Sequence, residues 1–409
     1  MDEIGGIITY AFLFLALYFE VFLLVSFLER RMVKGISNSP SPLSELPSVC
    51  VVVPCFNEEN SVGHSIKSLL ALAYPKEKLE IAVVDDGSTD GTYEAALRYA
   101  DDTRVRVFRK TRGGKHSALN MVLHRTDAEF IGCLDADSTV NPNALSRIIE
   151  GFKSPRIAAV TPGLHVKAPR TILQHLQHVE YLLGIFNRYA FAGLGAIYIT
   201  PGPFSIFRVS TIRNIGGWRH GHSTEDMELG LRLQNEGWLI ENNPRAEVHT
   251  TTPKNLRTLV RQRVRWSYGF LRNTLDYWHM IGNPKYGNLG LLILPAALLS
   301  FCAALFFAIR FLWYFAQSVA DALARASILG IEPSSSASLF FFNTSVLWLA
   351  VYVTIALTIL LILLGSSLGG NRRLPLSTPL FLMLYSFLTP IWLSVALVRA
   401  VFNTGVRWR

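Results

Sequence analysis

Four long apolar runs set the first limit on what this chain can fold into. Gly6 to Leu28, broken only by Glu20, is followed by Leu289 to Phe315, Leu339 to Leu364 and Thr378 to Val401. As helices, each is long enough to cross a hydrocarbon core about 30 Å thick. A backbone in lipid has to satisfy its own polar groups, so the runs are read as four transmembrane helices. The first run starts with Asp2 and Glu3 instead of a basic region and lacks a small-residue cleavage site, which makes it an anchor and not a signal peptide.

Charge next to the runs gives an orientation. Arg30, Arg31 and Lys34 follow the first run, and Arg257, Arg261, Arg263, Arg265 and Arg272 precede the second, which places the intervening segment in the cytoplasm. Arg372 and Arg373 agree with this. Arg399, Arg407 and Arg409 do not, because strict alternation puts the C-terminus outside; an interfacial or re-entrant last segment would reconcile them. The net charge of +9 suits an anionic lipid surface, and nucleic acid is not the expected partner. Cys50, Cys55, Cys133 and Cys302 have neither paired nor metal-ligand spacing and are expected as free thiols. Residues Gly35 to Pro47, rich in Ser and Pro, read as a linker.

The polar middle opens on Ser48 to Pro54, a continuous apolar run of the kind buried on both faces of a sheet. A helical stretch to Leu72 follows, then a second such strand, Ile81 to Val84, ending in Asp85-Asp86-Gly87-Ser88-Thr89-Asp90-Gly91. The alternation predicts a parallel sheet with ligands at the carboxyl ends of its strands. Phe130 to Leu134 ends on the same edge in Asp135-Ala136-Asp137. If the strand runs through them, the two carboxylates face one side, as a site for a hard divalent cation requires. An Asp-rich turn is the plainer alternative. Between these stretches, Gly113-Gly114-Lys115 leads into a helix, an arrangement suited to an anion, although such turns are often only turns.

In chain order, Val53-Pro54-Cys55-Phe56-Asn57-Glu58-Glu59, Val84 to Asp90, Gly113-Gly114-Lys115 through Asn120 and Asp135-Ala136-Asp137 resemble the nucleotide-sugar half of inverting glycosyltransferases with the GT-A fold. Ser223-Thr224-Glu225-Asp226 and Gln262-Arg263-Val264-Arg265-Trp266 resemble later motifs of the membrane-embedded processive family 2 branch. That branch makes cellulose, chitin, hyaluronan and poly-N-acetylglucosamine. Cys55 stands where that family more often has Thr, Ala or Ser. Gly202-Pro203 and Phe207-Arg208 look like the acceptor-side loop of hyaluronan and chitin synthases, whereas Thr224-Glu225-Asp226 is closer to the cellulose and poly-N-acetylglucosamine type.

The resemblance implies an α/β fold: a Rossmann-like GT-A domain in the cytoplasm with about four transmembrane helices. The boundaries expected are an anchor at 1–34, a nucleotide-sugar half at 48–160, an acceptor-side half with interfacial helices at 161–287 and a membrane region at 288–409. It also implies roles. Asp85 and Asp86 would hold the uracil and ribose end, with Lys115, Asp135, Gln262 and Arg265 on the rest of the nucleotide-sugar. Asp137 would ligate Mg or Mn, and Asp226 would be the general base. Trp266, Glu225 and Gly202 would meet the acceptor, the Trp by stacking on its terminal sugar.

Structural readings stand beside these roles. Glu225 and Asp226 would favour a helix N-terminus without any catalysis. Leu256, Leu259 and Val260 make the basic helix amphipathic, with Trp266 in the headgroup belt. His175 and His178 lack a third ligand and read as part of an interfacial helix, while His249 is a weak candidate for the metal. Glu20 is costly in lipid and needs a partner, Arg399 or a water-lined wall.

The expected function is inverting transfer of GlcNAc or glucose from a UDP-sugar onto a growing membrane-bound polysaccharide, with the four helices shaping a passage for the polymer. The alternatives are a single addition onto a membrane lipid of ceramide or hopanoid type, and a non-enzymatic membrane scaffold.

Overall fold

The computed structural model describes residues 2–36, 45–329 and 345–404. Most of the expected linker, the start of the third apolar run, Arg407 and Arg409 lie outside the described residues. Helix α1 (Asp2–Ile36) leads to β1 (Val49–Cys55), α2 (Val62–Leu70), β2 (Leu79–Asp85), α3 (Thr92–Leu97) and β3 (Val105–Arg109). Then come α4 (Lys115–Leu123), β4 (Phe130–Cys133), β5 (Ser138–Val140), α5 (Ala144–Ile149), β6 (Ile157–Val166) and the long α6 (Ile172–Gly193). The soluble part closes with β7 (Ile206–Arg208), α7 (Val209–Asn214), α8 (Glu225–Asn235), β8 (Leu239–Thr250) and α9 (Leu256–Asp276).

The strands form one sheet in the order β3-β2-β1-β4-β7-β6-β8-β5. Neighbours from β3 to β4 are parallel, as the alternating strands and helices predict, whereas β7 runs against both β4 and β6, and β5 runs against β8. The parallel expectation therefore fails at β7 and β5, while β6 and β8 pair in parallel. The reason is local: the Phe204 amide donates to the Cys133 carbonyl at the end of β4, so the chain enters β7 from that end and must run backwards. Residues alternate between two apolar layers along β1 and β2. Val51, Val53, Ile81 and Val83 pack on one face, and Cys50, Val52, Ala82 and Val84 on the other.

Helices α10 (Leu294–Leu329), α11 (Val346–Leu368) and α12 (Thr378–Val401) follow. With α1 they make four helices long and apolar enough to cross a membrane. Helix α10 continues past Phe315, the expected end of its run, because Gln317 to Ser327 keep helical residues although they are less apolar. Helices α6 and α9 join the two parts. Leu176, Val179, Leu182 and Ile185 of α6 share one cluster with Val264 of α9 and with Ile362, Phe381 and Trp392 of α11 and α12. Helix α6 starts at a capping box in which Thr171 and Gln174 satisfy each other's backbone groups. In the membrane part, Glu20 accepts from the Thr358 hydroxyl of α11 at 2.6 Å, so its partner is not Arg399.

Candidate active site

The carboxyl ends of β1, β2 and β4 open into a cavity of about 1290 Å³. Of the eleven residues singled out above, ten line it: Asp86, Lys115, Asp135, Asp137, Gly202, Glu225, Asp226, Gln262, Arg265 and Trp266. Asp85 lies outside the lining. It is buried, accepts from the Ser88 amide at 3.0 Å and faces Arg109 Nε at 3.2 Å, which fixes the turn that presents its neighbour.

Asp135 and Asp137 sit on a turn between β4 and β5, so the strand ends earlier than its apolar pattern indicates. The turn still separates the residues in the expected way. Ala136 is buried in the core, its carbonyl accepting from Ser65 Oγ at 2.8 Å, while the two carboxylates stay half-buried at the cavity. Burial, with the charge of Asp135 added, pushes the Asp137 carboxyl up to about 6, against a hydrogen bond from Ser138 Oγ. An ionised carboxylate held at such cost is suited to a cation.

Lys115 links the two halves of the site. Its Nζ lies 2.5 Å from Asp135 Oδ1 and 3.5 Å from Glu225 Oε1. Burial opposes the ammonium, yet Asp135 and Glu225 outweigh it and hold its pKa well above the ordinary lysine value. Gly202 makes this approach possible, because a Cβ there would stand 2.3 Å from Lys115 Nζ and 3.2 Å from Asp135 Oδ2. Asp86 binds the glycine loop: it accepts from the Gly113 and Gly114 amides at 2.9 and 2.7 Å, and from Lys110 Nζ at 2.6 Å.

On the opposite wall, Asp226 begins α8. Burial, and after it the charge of Glu225, raises its carboxyl to about 6, while Lys115 and Arg265 work in the other direction. Thr224 is the N-cap residue but does not cap with its side chain; its hydroxyl donates to the Gly221 carbonyl at 2.9 Å. The turn before it is strained at His222 and Ser223, with φ of 50° and 67°, after a Gly221 that takes its φ of 54° freely. Arg265 Nη1 steadies that turn by donating to the Ser223 carbonyl at 2.9 Å.

Trp266 is the most exposed member, and the Arg263 guanidinium stacks over its ring at 4.2 Å. Arg263 is in turn held by Glu180 of α6 at 2.5 Å, and Glu180 accepts from the Tyr385 hydroxyl of α12 at 3.0 Å. Sequence reasoning missed this relay. Its one signal was Arg263 itself, inside Gln262 to Trp266. His249 does not reach Asp137: strand alternation turns it to the other face of β8, where it stacks on His165 with ring centroids 5.4 Å apart. Among the described residues no group of three or more His, Cys, Asp or Glu could hold a metal. Asp137 alone fits Mg²⁺ or Mn²⁺ only where substrate oxygens and water complete the shell, as is usual for Mg²⁺ beside a diphosphate.

Residues 50–216 match the sequence family described as Glycosyl transferase family 2. Two poly-beta-1,6-N-acetyl-D-glucosamine synthases are each 30% identical to the chain. That of Staphylococcus aureus (strain MSSA476) aligns over 261 residues, 63% of both chains, and that of Staphylococcus epidermidis over 246 residues, 59% of both. The chain therefore spans under two thirds of the length of these relatives. A mannosyltransferase from Pyrobaculum calidifontis, solved in complex with GDP-Man and Mn2+, has the same fold. Its TM-score is 0.59 at 21% identity, over 96% of this chain and 100% of that one.

Proposed function

We propose that this chain, whose residues 50–216 match the family described as Glycosyl transferase family 2, moves a hexose, GlcNAc or glucose, from a UDP-sugar onto a growing polysaccharide at the membrane, with inversion. One observation carries this reading: a single cavity gathers Asp86, Lys115, Asp135, Asp137, Asp226, Arg265 and Trp266 from opposite walls. In this reading residues 48–160 hold the donor and residues 161–287 the acceptor, on the cytoplasmic face.

Asp86, held by the Gly113 and Gly114 amides, takes the nucleoside end, with Asp85 fixing its turn. Lys115 Nζ, 2.5 Å from Asp135 Oδ1, orients that carboxylate toward the sugar. Asp226 removes the proton from the acceptor hydroxyl as its oxygen attacks the anomeric carbon. The bond to the diphosphate breaks with its electron pair on UDP, whose growing charge faces Arg265 and Gln262. A divalent cation bound at Asp137 would supply further neutralisation of the diphosphate. Trp266 offers an apolar face to the terminal acceptor sugar, with Glu225 and Gly202 bounding that position.

The test is a screen of radiolabelled UDP-sugars with the full chain in proteoliposomes, reading UDP release and product length. Polymer and stoichiometric UDP are expected. One sugar per lipid would replace polymerisation with single addition, and no UDP release from any donor would end the enzymatic reading.

A further inference from the structure

Trp266 is 37% exposed on the cavity wall, so packing alone does not fix its ring. The Arg263 guanidinium lies over that ring, 4.2 Å from its centroid, and a cation held there limits the two side-chain torsions of the indole. Arg263 itself has little freedom: its side chain is buried, and Nη2 donates to Glu180 Oε2 of α6 at 2.5 Å. Burial opposes its charge, yet Glu180, first among its neighbours, outweighs burial and holds the pKa above the ordinary arginine value.

The Tyr385 hydroxyl of α12 donates to the same Oε2 at 3.0 Å. Two donors on one carboxylate oxygen set its place. The Tyr385 ring is in turn packed on Phe381 and Trp392, with centroids 4.6 and 5.8 Å away. Glu180 and Arg263 line the cavity and Tyr385 does not, so Tyr385 acts on a molecule bound there only through them. A buried ion pair is often no more stabilising than apolar residues of the same volume, and its use is better sought in the geometry it fixes.

We infer that Tyr385 and Glu180 are positioning residues for the acceptor: through Arg263 they set the Trp266 ring, so that the seat of the apolar helix α12 governs where the acceptor lies. The inference rests on the proposed reading in one respect, that Trp266 meets the terminal acceptor sugar.

Two measurements separate the relay from that reading. The full chain carrying fluorotryptophan is followed by fluorine NMR in detergent micelles, the Trp266 signal being assigned by its loss in Trp266→Phe. Tyr385→Phe removes one hydroxyl and leaves the Glu180–Arg263 pair and the ring packing, so it should fold, and it is expected to shift and broaden the Trp266 signal. Glu180→Gln, which discharges the carboxylate, should move the signal further, and Glu180→Asp should return it part of the way. Tyr74→Phe, which loses a hydroxyl bonded to the Pro47 carbonyl at 2.6 Å, is the control and should leave the signal in place. In proteoliposomes saturated with the UDP-sugar that wild type turns over, Tyr385→Phe should slow sugar transfer about threefold or more, the scale of one lost hydrogen bond, with UDP affinity within about twofold of wild type. A Trp266 signal indifferent to Tyr385→Phe overturns the relay, and a shifted signal with unchanged transfer overturns its role toward the acceptor. Should the signal shift as expected while wild type releases UDP from no donor, the transferase reading falls and the coupling of α12 to Trp266 stands.

Discussion

Asp226 carries opposite demands on its charge. The fold disfavours its ionised form, through burial and Glu225, while the base role proposed for it needs that form. A carboxyl raised to about 6 is mostly protonated below that pH, so kcat/KM is expected to fall about tenfold per pH unit on the acid side, with its midpoint near 6. Stability runs the other way. The folded state holds this proton to higher pH than the unfolded chain, so the Asp226 contribution to stability falls as pH rises from the unfolded carboxylate value through about 6. Asp226→Asn should therefore bind UDP normally, lose about 10²-fold or more in turnover, and melt above wild type at pH 7 but not at pH 4. Wild-type turnover, or an unchanged pH–rate profile in the wild type down to pH 5, would remove Asp226 as the base. Gly202→Ala tests the Lys115 bridge. Its new Cβ would occupy the place of Nζ, so donor KM is expected to rise at least several-fold with little change in Tm, because the lysine end can swing aside. The types of these residues could be read from the sequence, but their pairing could not: nothing in the spacing of Lys115, Asp135 and Glu225 forecasts one ammonium between two carboxylates.

At the scale of elements, the turn before Asp226 is clamped against α9. Gly269 lies so close that a Cβ on it would stand 2.1 Å from Thr224 Oγ1. Asn273 reaches the same turn, its Nδ2 donating to the Gly221 carbonyl at 3.0 Å and to Thr224 Oγ1 at 2.8 Å. Gly269→Ala is expected to shift the α8 start and cut kcat at least tenfold while UDP binding, measured by calorimetry, stays within a few-fold of wild type. The strained φ values at His222 and Ser223 give the physical cause, since the turn persists only while α9 holds it. Helix α12 follows α9 as well: Val264 shares a cluster with Phe381, Tyr385 and Trp392, and Tyr268 packs with Ala396 and Ala400. The last apolar run is thus bound to the amphipathic helix along its length.

For the molecule as a whole, α1 is more than a tether. Arg30 reaches from its end to Glu241 on β8, donates to the Tyr189 carbonyl at 2.5 Å and lies over the Tyr189 ring at 4.2 Å. Removing Arg30 strips the half-buried Glu241 of its cation and costs about 2 kcal/mol, the scale of a lost charge-assisted hydrogen bond. Arg30→Ala should accordingly lower Tm in detergent by several degrees, whereas Arg31→Ala, exposed beside it, should leave Tm nearly unchanged. Equal effects would mean that the soluble domain and the anchor are coupled only through lipid.

The sequence by itself determined the four apolar helices, the strand and helix alternation of the first half and the acidic motifs at the strand ends. Each is a local property of hydrophobic period or turn chemistry, complete within a few tens of residues. Tertiary structure alone decided that β7 runs backwards, that Asp85 is buried while Asp86 is presented, that His249 faces away, and that Glu20 meets Thr358. It also decided the Glu180–Arg263–Tyr385 relay. These depend on which remote surfaces pack together, and contacts between residues far apart in the chain leave no period or motif for a sequence to display.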